Sequence, residues 1–138
     1  MKTIKFLSIL FFITIITSCS SNNSSSTSSN LIAGQWKLVY VNGSFAGVSN
    51  HFEPGIITWT FNPTTQMVTV VNNNTNDNLL DIFETGVYNY QITNNSNPSL
   101  CSETLKINNM EMGCFSIANN TLRIDQTFTD GFGVTLVH

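Results

Sequence analysis

Positive charge is scarce in this sequence of 138 residues. It contains five Lys and Arg against eight Asp and Glu, and charged residues of both signs make up only 9% of the chain, whereas about 25% is usual. The few cations do not cluster, and binding to a nucleic-acid backbone needs several of them on one face. This composition therefore argues against nucleic acid as a partner.

Residues that commonly build catalytic and metal sites are also few. The chain has two His, and it contains neither a Gly-x-Ser-x-Gly motif nor a Cys-His nucleophile pair. His51 and Glu53 could act together as a metal or acid–base pair, but no third ligand is identifiable, and a plain polar loop is the alternative. The spacing of Glu111, Asp125 and Asp130 does not single out a catalytic carboxylate pair. We therefore expect no enzyme activity, no catalytic residue, no metal site and no cofactor.

No apolar run in the sequence reaches the roughly 20 residues that a membrane-spanning helix needs. The most apolar run, Phe6 to Ile16, is preceded by Lys2 and Lys5 and followed by Thr17 and Ser18. This order of a basic segment, an apolar segment and small residues is typical of an export signal. The sequence therefore predicts a protein that leaves the cytoplasm.

Cys19 directly follows the apolar run, in the sequence Ile16-Thr17-Ser18-Cys19. This arrangement resembles the lipobox of bacterial lipoproteins. The resemblance implies that residues 1–18 are a signal peptide that is removed, and that Cys19 carries palmitate-type acyl chains as a membrane anchor. Each buried CH₂ contributes about 0.8 kcal/mol, so two or three chains hold a protein firmly at a membrane. An ordinary secretory signal with a chance Cys, or an uncleaved anchor helix, is the alternative.

The residues between Cys19 and Leu31 are almost entirely Ser, Asn and Thr. Because such a segment cannot bury apolar surface, we predict that residues 19–30 are the lipidated Cys and a flexible tether. No acidic residue precedes Glu53, whereas some lipoproteins carry an acidic run after the Cys as a surface-export signal. The pattern favours a bacterial cell envelope protein on the periplasm-facing side of the outer membrane, with residues 31–138 as one domain.

Three cysteines are an odd number for an exported protein. If Cys19 carries lipid, Cys101 and Cys114 remain as a pair in an oxidising compartment. The segment between them has Asn108 and Asn109 near its centre and predicts a β-hairpin, which could bring the two thiols within bonding distance. We predict a disulfide, with two buried free thiols as the alternative. Two Cys without a nearby His supply too few ligands for zinc.

Alternation of apolar and polar residues with a period of two dominates residues 31–138. Trp36, Leu38 and Tyr40 share one face of the first predicted strand, and residues 62–65 predict a hairpin turn after the second. We predict an all-β fold of about eight short antiparallel strands in an up-and-down barrel, with a β-sandwich as the alternative. The other predicted inward sets are Ile57, Trp59 and Phe61; Tyr88, Tyr90 and Ile92; Leu105 and Ile107; Phe115 and Ile117; Leu122 and Ile124; and Phe132, Val134 and Leu136.

The start of the first strand, Gly34-x-Trp36, resembles the motif that opens lipocalin-like domains, including small envelope lipoproteins. The resemblance implies a barrel in which Trp36 plugs the closed end and Gly34 supplies backbone freedom where the chain enters the sheet. True lipocalins have a helix after the last strand and a cation that packs on the Trp, and neither follows the last predicted strand here. Arg123 could stack on Trp36, but an ordinary exposed Arg is the simpler expectation, and His138 is expected to fray.

The connection from Gly43 to Gly55 is long enough to indicate a function. In lipocalin-like barrels the corresponding connection folds over the mouth as a lid. Since eight strands leave room inside for side chains or for one small ligand, we predict non-catalytic binding of a small apolar or amphipathic ligand. The alternative is an interaction module that presents its surface to an envelope protein or a glycan, with a barrel filled by its own side chains. The predicted ligand-binding residues are Phe45, Phe52, Trp59, Tyr88 and Tyr90.

Overall fold

The computed structural model describes residues 25–43 and 47–138. The predicted signal peptide, Cys19 and Phe45 lie outside these residues. The described part is all-β apart from one short helix and a 3-10 turn at Thr127–Thr129. Its elements are α1 (Ser25–Leu31), β1 (Gly34–Gly43), β2 (Val48–His51), β3 (Ile57–Asn62), β4 (Met67–Asn72), β5 (Gly86–Asn94), β6 (Glu103–Ile107), β7 (Met110–Ala118), β8 (Thr121–Asp125) and β9 (Phe132–Val137).

The strands form a closed antiparallel barrel. From β3 to β9 each strand pairs with the next in sequence, and β9 returns to pair with β1. β2 and β3 lie on the same side of β1, with β2 paired to its second half and β3 to its first half. They are therefore two parts of one broken strand, and the barrel has eight strand positions. The predicted up-and-down barrel is confirmed.

The two ends of the barrel differ. We call the end that carries α1 and the turns at residues 62–66 and 119–120 the base. The opposite end, with the connections at residues 73–85, 108–109 and 126–131, is the mouth. Since β1 begins at the base, the predicted lid region after β1 lies at the mouth. Part of that region is β2 and so belongs to the barrel wall.

The inner face of the barrel is apolar, as the period of two predicts. Ile57, Trp59 and Phe61 on β3 are all buried, and so are Leu122 and Ile124 on β8. Among the described residues, no charged or polar residue belongs to the core. Removing this apolar surface from water, at about 25 cal/mol per Å², is the main favourable contribution to folding. The remaining predicted inner residues are buried or partly buried against the same core.

The prediction that Tyr40 points inward is wrong because β1 contains a β-bulge. Leu38 pairs with Leu136, and the next pair is Tyr40 with Thr135, so Val39 is an extra residue in β1. The bulge reverses the alternation: Val41 is buried and Tyr40 is only partly buried. An inserted residue of this kind turns the following side chains to the other face of a sheet.

Trp36 closes the base of the barrel. Its side chain is completely buried, and its Nε1–H donates a hydrogen bond of 2.7 Å to the carbonyl oxygen of Ile32. The ring of His138 lies against it, with the ring centroids 3.8 Å apart, and the His138 N–H donates to the carbonyl oxygen of Asn120. The expectation that His138 frays is therefore wrong, and His138 occupies the position where Arg123 was considered.

α1 forms in a segment where composition predicts a flexible tether through Asn30. The helix leads into Ile32, which is completely buried, and the Ile32 N–H donates to the carbonyl oxygen of Ser28. Burial of Ile32 in the base thus holds the end of α1 in place, although its sequence has little intrinsic preference for a helix. In residues 25–43 and 47–138 the structure has no helix of the length and hydrophobicity needed to cross a bilayer.

The predicted hairpin and disulfide between β6 and β7 are both confirmed. Asn108 adopts a positive φ of 54° at the turn. Cys101, just before β6, is bonded to Cys114 on β7, with a Cα–Cα distance of 5.9 Å. The Asn95 side chain donates to the sulfur of Cys101 at 3.0 Å. The disulfide therefore ties the connection between β5 and β6 to the barrel wall.

Candidate functional site

Four aromatic side chains form a continuous cluster on the inner face of the barrel and its mouth. The ring of Phe61 meets that of Tyr90 edge to face, with centroids 5.2 Å apart. Trp59 contacts Phe61 on one side and Phe83 on the other, at centroid distances of 6.4 and 5.4 Å. Edge-to-face pairs such as Phe61–Tyr90 and Trp59–Phe83 are favourable geometries for aromatic rings. Phe83 belongs to residues 73–85 at the mouth, so the cluster runs from the interior towards that end.

Two polar atoms in this cluster are buried without a partner. In the part of the chain that the structure describes, neither Trp59 Nε1 nor the Tyr90 hydroxyl has a hydrogen-bond partner. Leaving a buried polar group unpaired costs about 1–3 kcal/mol, and nearly all buried groups in native proteins are paired. Burial raises the pKa of Tyr90, so its hydroxyl remains protonated and can donate. The interior therefore offers two hydrogen-bonding groups that the protein itself does not use.

An apolar depression of about 440 Å³ lies at the mouth. Phe83, Ile107 and Met110 line it, together with the turn residues Asn108 and Asn109. Its volume falls in the range of small-molecule sites. Phe83 both lines the depression and contacts Trp59, so this one ring lies between the mouth and the buried indole.

The predicted ligand-binding residues are not all in one place. Trp59 and Tyr90 lie in the inner cluster described above. Tyr88 is partly buried at the mouth, where its hydroxyl donates to the carbonyl oxygen of Glu84 at 3.0 Å and its ring packs on Phe83. Phe52 is buried but lines a groove on the outside of the barrel.

Phe83 is the residue of this site that sequence reasoning missed. Residues 78–83 suggested at most one helical turn, and Phe83 lies in an irregular connection with no periodicity to indicate that its ring turns inward. No signal in its own neighbourhood would have identified it. Its position follows from tertiary packing on Trp59 and Tyr88.

A second cavity, of about 670 Å³, lies on the outer face of the barrel and is mainly polar. We call it the outer groove. His51 and Glu53, considered above as a polar pair, both belong to it. No group of three His, Cys, Asp or Glu that could hold a metal ion occurs among the described residues. The outer groove is defined by Tyr40, Asn42, His51, Glu53, Arg123 and Thr135.

A third cavity, of about 300 Å³, contains the carboxylates of Asp77, Asp81 and Glu84 near the mouth. The amides of Asn72 and Asn74 donate to Asp81 Oδ2 at 2.8 and 3.1 Å. The Asp81 carboxylate is thus already used to hold the loop together. These bonds give the cluster a structural role in shaping residues 73–85.

Comparisons with protein-family models, with curated proteins and with solved structures find no match for this chain. The features of the described residues that bear on function are the mouth depression, the outer groove, the cavity beside Asp81 and the two unpaired polar atoms. Of these features, the unpaired atoms point most strongly to a ligand, because a buried polar group without a hydrogen-bond partner is energetically unfavourable.

Proposed function

We propose that this protein is a lipid-anchored envelope protein of lipocalin-like type that binds a small amphipathic ligand inside its barrel, without catalysis. The observation that carries the proposal is the pair of unpaired polar atoms, Trp59 Nε1 and the Tyr90 hydroxyl, in an apolar interior. Ligand sites are usually apolar with a few well-placed polar groups that fix orientation. A barrel with two free hydrogen-bonding groups on its inner face has this character.

The two groups indicate the chemistry of the ligand. An indole N–H donates only, so the ligand needs an acceptor atom for Trp59, whereas a hydroxyl both donates and accepts. The rest of the inner face is hydrocarbon and aromatic, and further polar groups of a ligand buried there would be unfavourable. The proposed ligand therefore has an apolar body and a single carbonyl, carboxyl or hydroxyl end.

The mouth depression is the proposed route of entry. Phe83 is held by aromatic contacts to Trp59 and Tyr88 and lies in an irregular connection. Because the Phe83 ring lines the depression and contacts Trp59, we propose that rotation of this ring opens the way from the depression to the inner cluster. Side-chain rotations of this kind are fast compared with movements of whole elements.

The anchor completes the proposed function. The lipid on Cys19 and the removal of residues 1–18 are proposals from the sequence, as is the periplasm-facing location. α1, the first described element, joins the barrel at the base, which is the end opposite the mouth. An anchor at Cys19 would therefore leave the mouth free to exchange ligand with its surroundings.

An interaction module remains the second candidate. The observation in its favour is the outer groove, which lies on the outside of the barrel and does not involve its interior. The ligand-binding candidate places the function on the inner face of the barrel wall, and the interaction module places it on the outer face. They can therefore be separated by substitutions on one face at a time.

Binding of a fluorescent long-chain fatty acid tests the interior site. The full chain with Cys19→Ala, which retains every described residue, is expected to bind the probe saturably. Because each lost hydrogen bond removes about 1 kcal/mol, Trp59→Phe and Tyr90→Phe should each weaken binding by about 5- to 10-fold. Tyr40→Phe, on the outer face, is the matched control and should leave affinity unchanged. Absence of saturable binding, or equal affinity in all four proteins, would contradict the proposal.

A further inference from the structure

The outer groove is built around one row of side chains that crosses four strands. Arg123 on β8 pairs with Thr135 on β9, Thr135 pairs with Tyr40 on β1, and Tyr40 pairs with His51 on β2. Residues directly opposite one another in a sheet have their Cβ atoms about 5 Å apart. The row therefore brings a guanidinium, a hydroxyl and two aromatic rings side by side on the outside of the barrel, with Glu53 at its end.

Two irregularities of the barrel create this groove. The bulge at Val39 turns Tyr40 from the inner to the outer face. The break between β2 and β3 provides Glu53 and Pro54 as a wall of the groove, and the Phe52 N–H donates to the carbonyl oxygen of Val39 at 3.0 Å, which joins the two irregularities. Bulges frequently occur next to functional sites, where they re-aim a side chain. Together the two irregularities shape one cavity.

Arg123 is free to bind an anion. In residues 25–43 and 47–138 the only ion pair is Lys106 with Glu111. Asp125 lies on the same outer face two residues away, but its Oδ1 accepts from the N–H and the hydroxyl of Thr127 at 2.8 and 2.6 Å. One oxygen of the nearest carboxylate on its strand is therefore used by Thr127, and without an ion pair the guanidinium keeps its capacity for a two-pronged bond to a carboxylate.

The groove continues beyond Arg123, alongside Gly133. Gly133 lies between Asp125 and Asn42, and a Cβ atom there would be 2.6 Å from Asn42 Oδ1. The Asn42 amide thus lies over the glycine. A smaller cavity of about 140 Å³, which shares Asn42, Arg123 and Thr135 with the outer groove, extends it in this direction.

Tyr40 and His51 form the aromatic part of the groove. The rings of Tyr40 and His51 stack with centroids 4.4 Å apart and an interplanar angle of 29°. The Tyr40 hydroxyl is within hydrogen-bond distance, 3.1 Å, of the Ser49 hydroxyl. Aromatic faces carry negative charge density and attract the positively polarised C–H groups of a ring lying on them. Around the stack, Thr135, Asn42 and Glu53 supply the donors and acceptors that hydroxyl groups need.

We propose that the outer groove binds a carboxylate-bearing saccharide, with the carboxylate on Arg123 and a sugar ring against the Tyr40–His51 stack. A lone anion would use Arg123 but not the aromatic stack, and a neutral sugar would leave the guanidinium unused. An acidic sugar uses both, together with the polar side chains between them. The site is on the outside of the barrel and is independent of the proposed interior site.

Calorimetric titration of the full chain with tri-galacturonic acid, and with its methyl ester as the matched neutral ligand, tests this site. We expect the acid to bind at least 10-fold more tightly than the ester. Arg123→Gln should weaken binding of the acid by about 10- to 100-fold, as expected for loss of a charge-assisted pair, and should leave the ester unchanged. Arg123→Lys should recover only part of this loss, because Lys cannot form the two-pronged bond.

Two control variants distinguish binding in the outer groove from a general effect of positive charge and from binding in the interior. Lys106→Gln removes the same charge away from the groove and should have no effect, and Tyr90→Phe should also leave the titration unchanged. Tyr40→Ala should weaken acid and ester alike. The proposal is overturned if the acid and the ester bind with equal affinity or if neither binds. It is also overturned if Arg123→Gln and Lys106→Gln have the same affinity for the acid, or if acetate displaces the acid at the same concentration as the trimer does. The comparison of acid with ester needs no variant, so a folding defect in one variant does not affect it.

Discussion

At the scale of single residues, Trp59 and Tyr90 make opposite contributions to stability and function. Their rings bury large apolar surfaces, which stabilises the fold. Their polar atoms are unpaired, which destabilises it. A buried polar atom that has no partner in the free protein and gains one in the complex is typical of a binding site. For Tyr90 the two contributions can be separated, because Tyr90→Phe keeps the ring and removes the polar atom.

Tyr90→Phe is expected to raise the free energy of unfolding of the ligand-free protein by about 1 kcal/mol, because it removes a buried hydroxyl that has no partner. Tyr88→Phe is the matched control: it removes a hydroxyl that donates to Glu84, and it should lower stability slightly. Urea denaturation at pH 7 measures both. A loss of stability in Tyr90→Phe would show that the hydroxyl has a partner in solution.

The same variant has a consequence for pH dependence. Burial raises the pKa of Tyr90 above the value of about 10 of the unfolded chain. As the pH rises, the Tyr90 hydroxyl therefore loses its proton in the unfolded state before it does so in the folded state. The free energy of unfolding that depends on this proton is fully present below about pH 10 and is lost above it. Denaturation curves between pH 8 and 11 should show a smaller alkaline loss of stability for Tyr90→Phe than for the wild type. Equal losses would contradict this assignment.

At the scale of elements, the sequence predicts the regular strands but not the bulge in β1 or the break between β2 and β3. The inner residues of β3 follow from their alternation, because a strand with one buried face must repeat every two residues. The bulge at Val39 leaves no such trace, since only the pairing with β9 reveals the extra residue. The break between β2 and β3 likewise depends on which half of β1 each one meets.

The residues of the candidate sites likewise fall into those that the sequence predicts and those that it does not. Trp59 and Tyr90 lie on regular strands, and their inward direction could be predicted from alternation. Phe83 and the outer-facing Tyr40 depend on a loop and on a bulge, and their positions are decided by residues distant in sequence. His138 was missed for the same reason, because its contact is with a ring at the start of the domain. Local pattern alone contains no information about such contacts.

The disulfide provides a test at this scale. A cross-link between residues separated by 13 positions is expected to stabilise a domain by about 3 kcal/mol, mainly by restricting the unfolded chain. The double variant Cys101→Ala, Cys114→Ala should therefore unfold at a clearly lower urea concentration. Wild-type protein unfolded in the presence of a reductant should match the double variant. If both proteins unfold at the wild-type midpoint, the disulfide does not contribute to stability.

At the scale of the whole molecule, the barrel wall separates two surfaces with different chemistry. The inside is apolar with two unpaired polar atoms, and the outer groove is polar with a free guanidinium. Alternation along each strand makes this possible, because neighbouring residues serve opposite faces. Under the two proposals made above, the same wall would carry an amphipathic ligand inside and a saccharide contact outside.

The anchor itself is tested in cells. Metabolic labelling with a clickable fatty acid should tag the wild-type chain and place it in the membrane fraction, whereas Cys19→Ala should be unlabelled and released. The double variant Cys101→Ala, Cys114→Ala is the control, because it removes two thiols and retains Cys19. Label on Cys19→Ala would rule out this residue as the site of acylation.

Closure of β9 onto β1 would have a further consequence if many copies are held close together by the proposed anchor. Strands with an exposed edge can pair with other copies and aggregate, and a closed barrel removes such edges. Among the described strands, β2 alone pairs on one side only, and it is four residues long. The Asn50 side chain reaches from β2 to the carbonyl oxygen of Leu80, which helps to cover that edge. Many copies could therefore lie next to one another without their sheets merging.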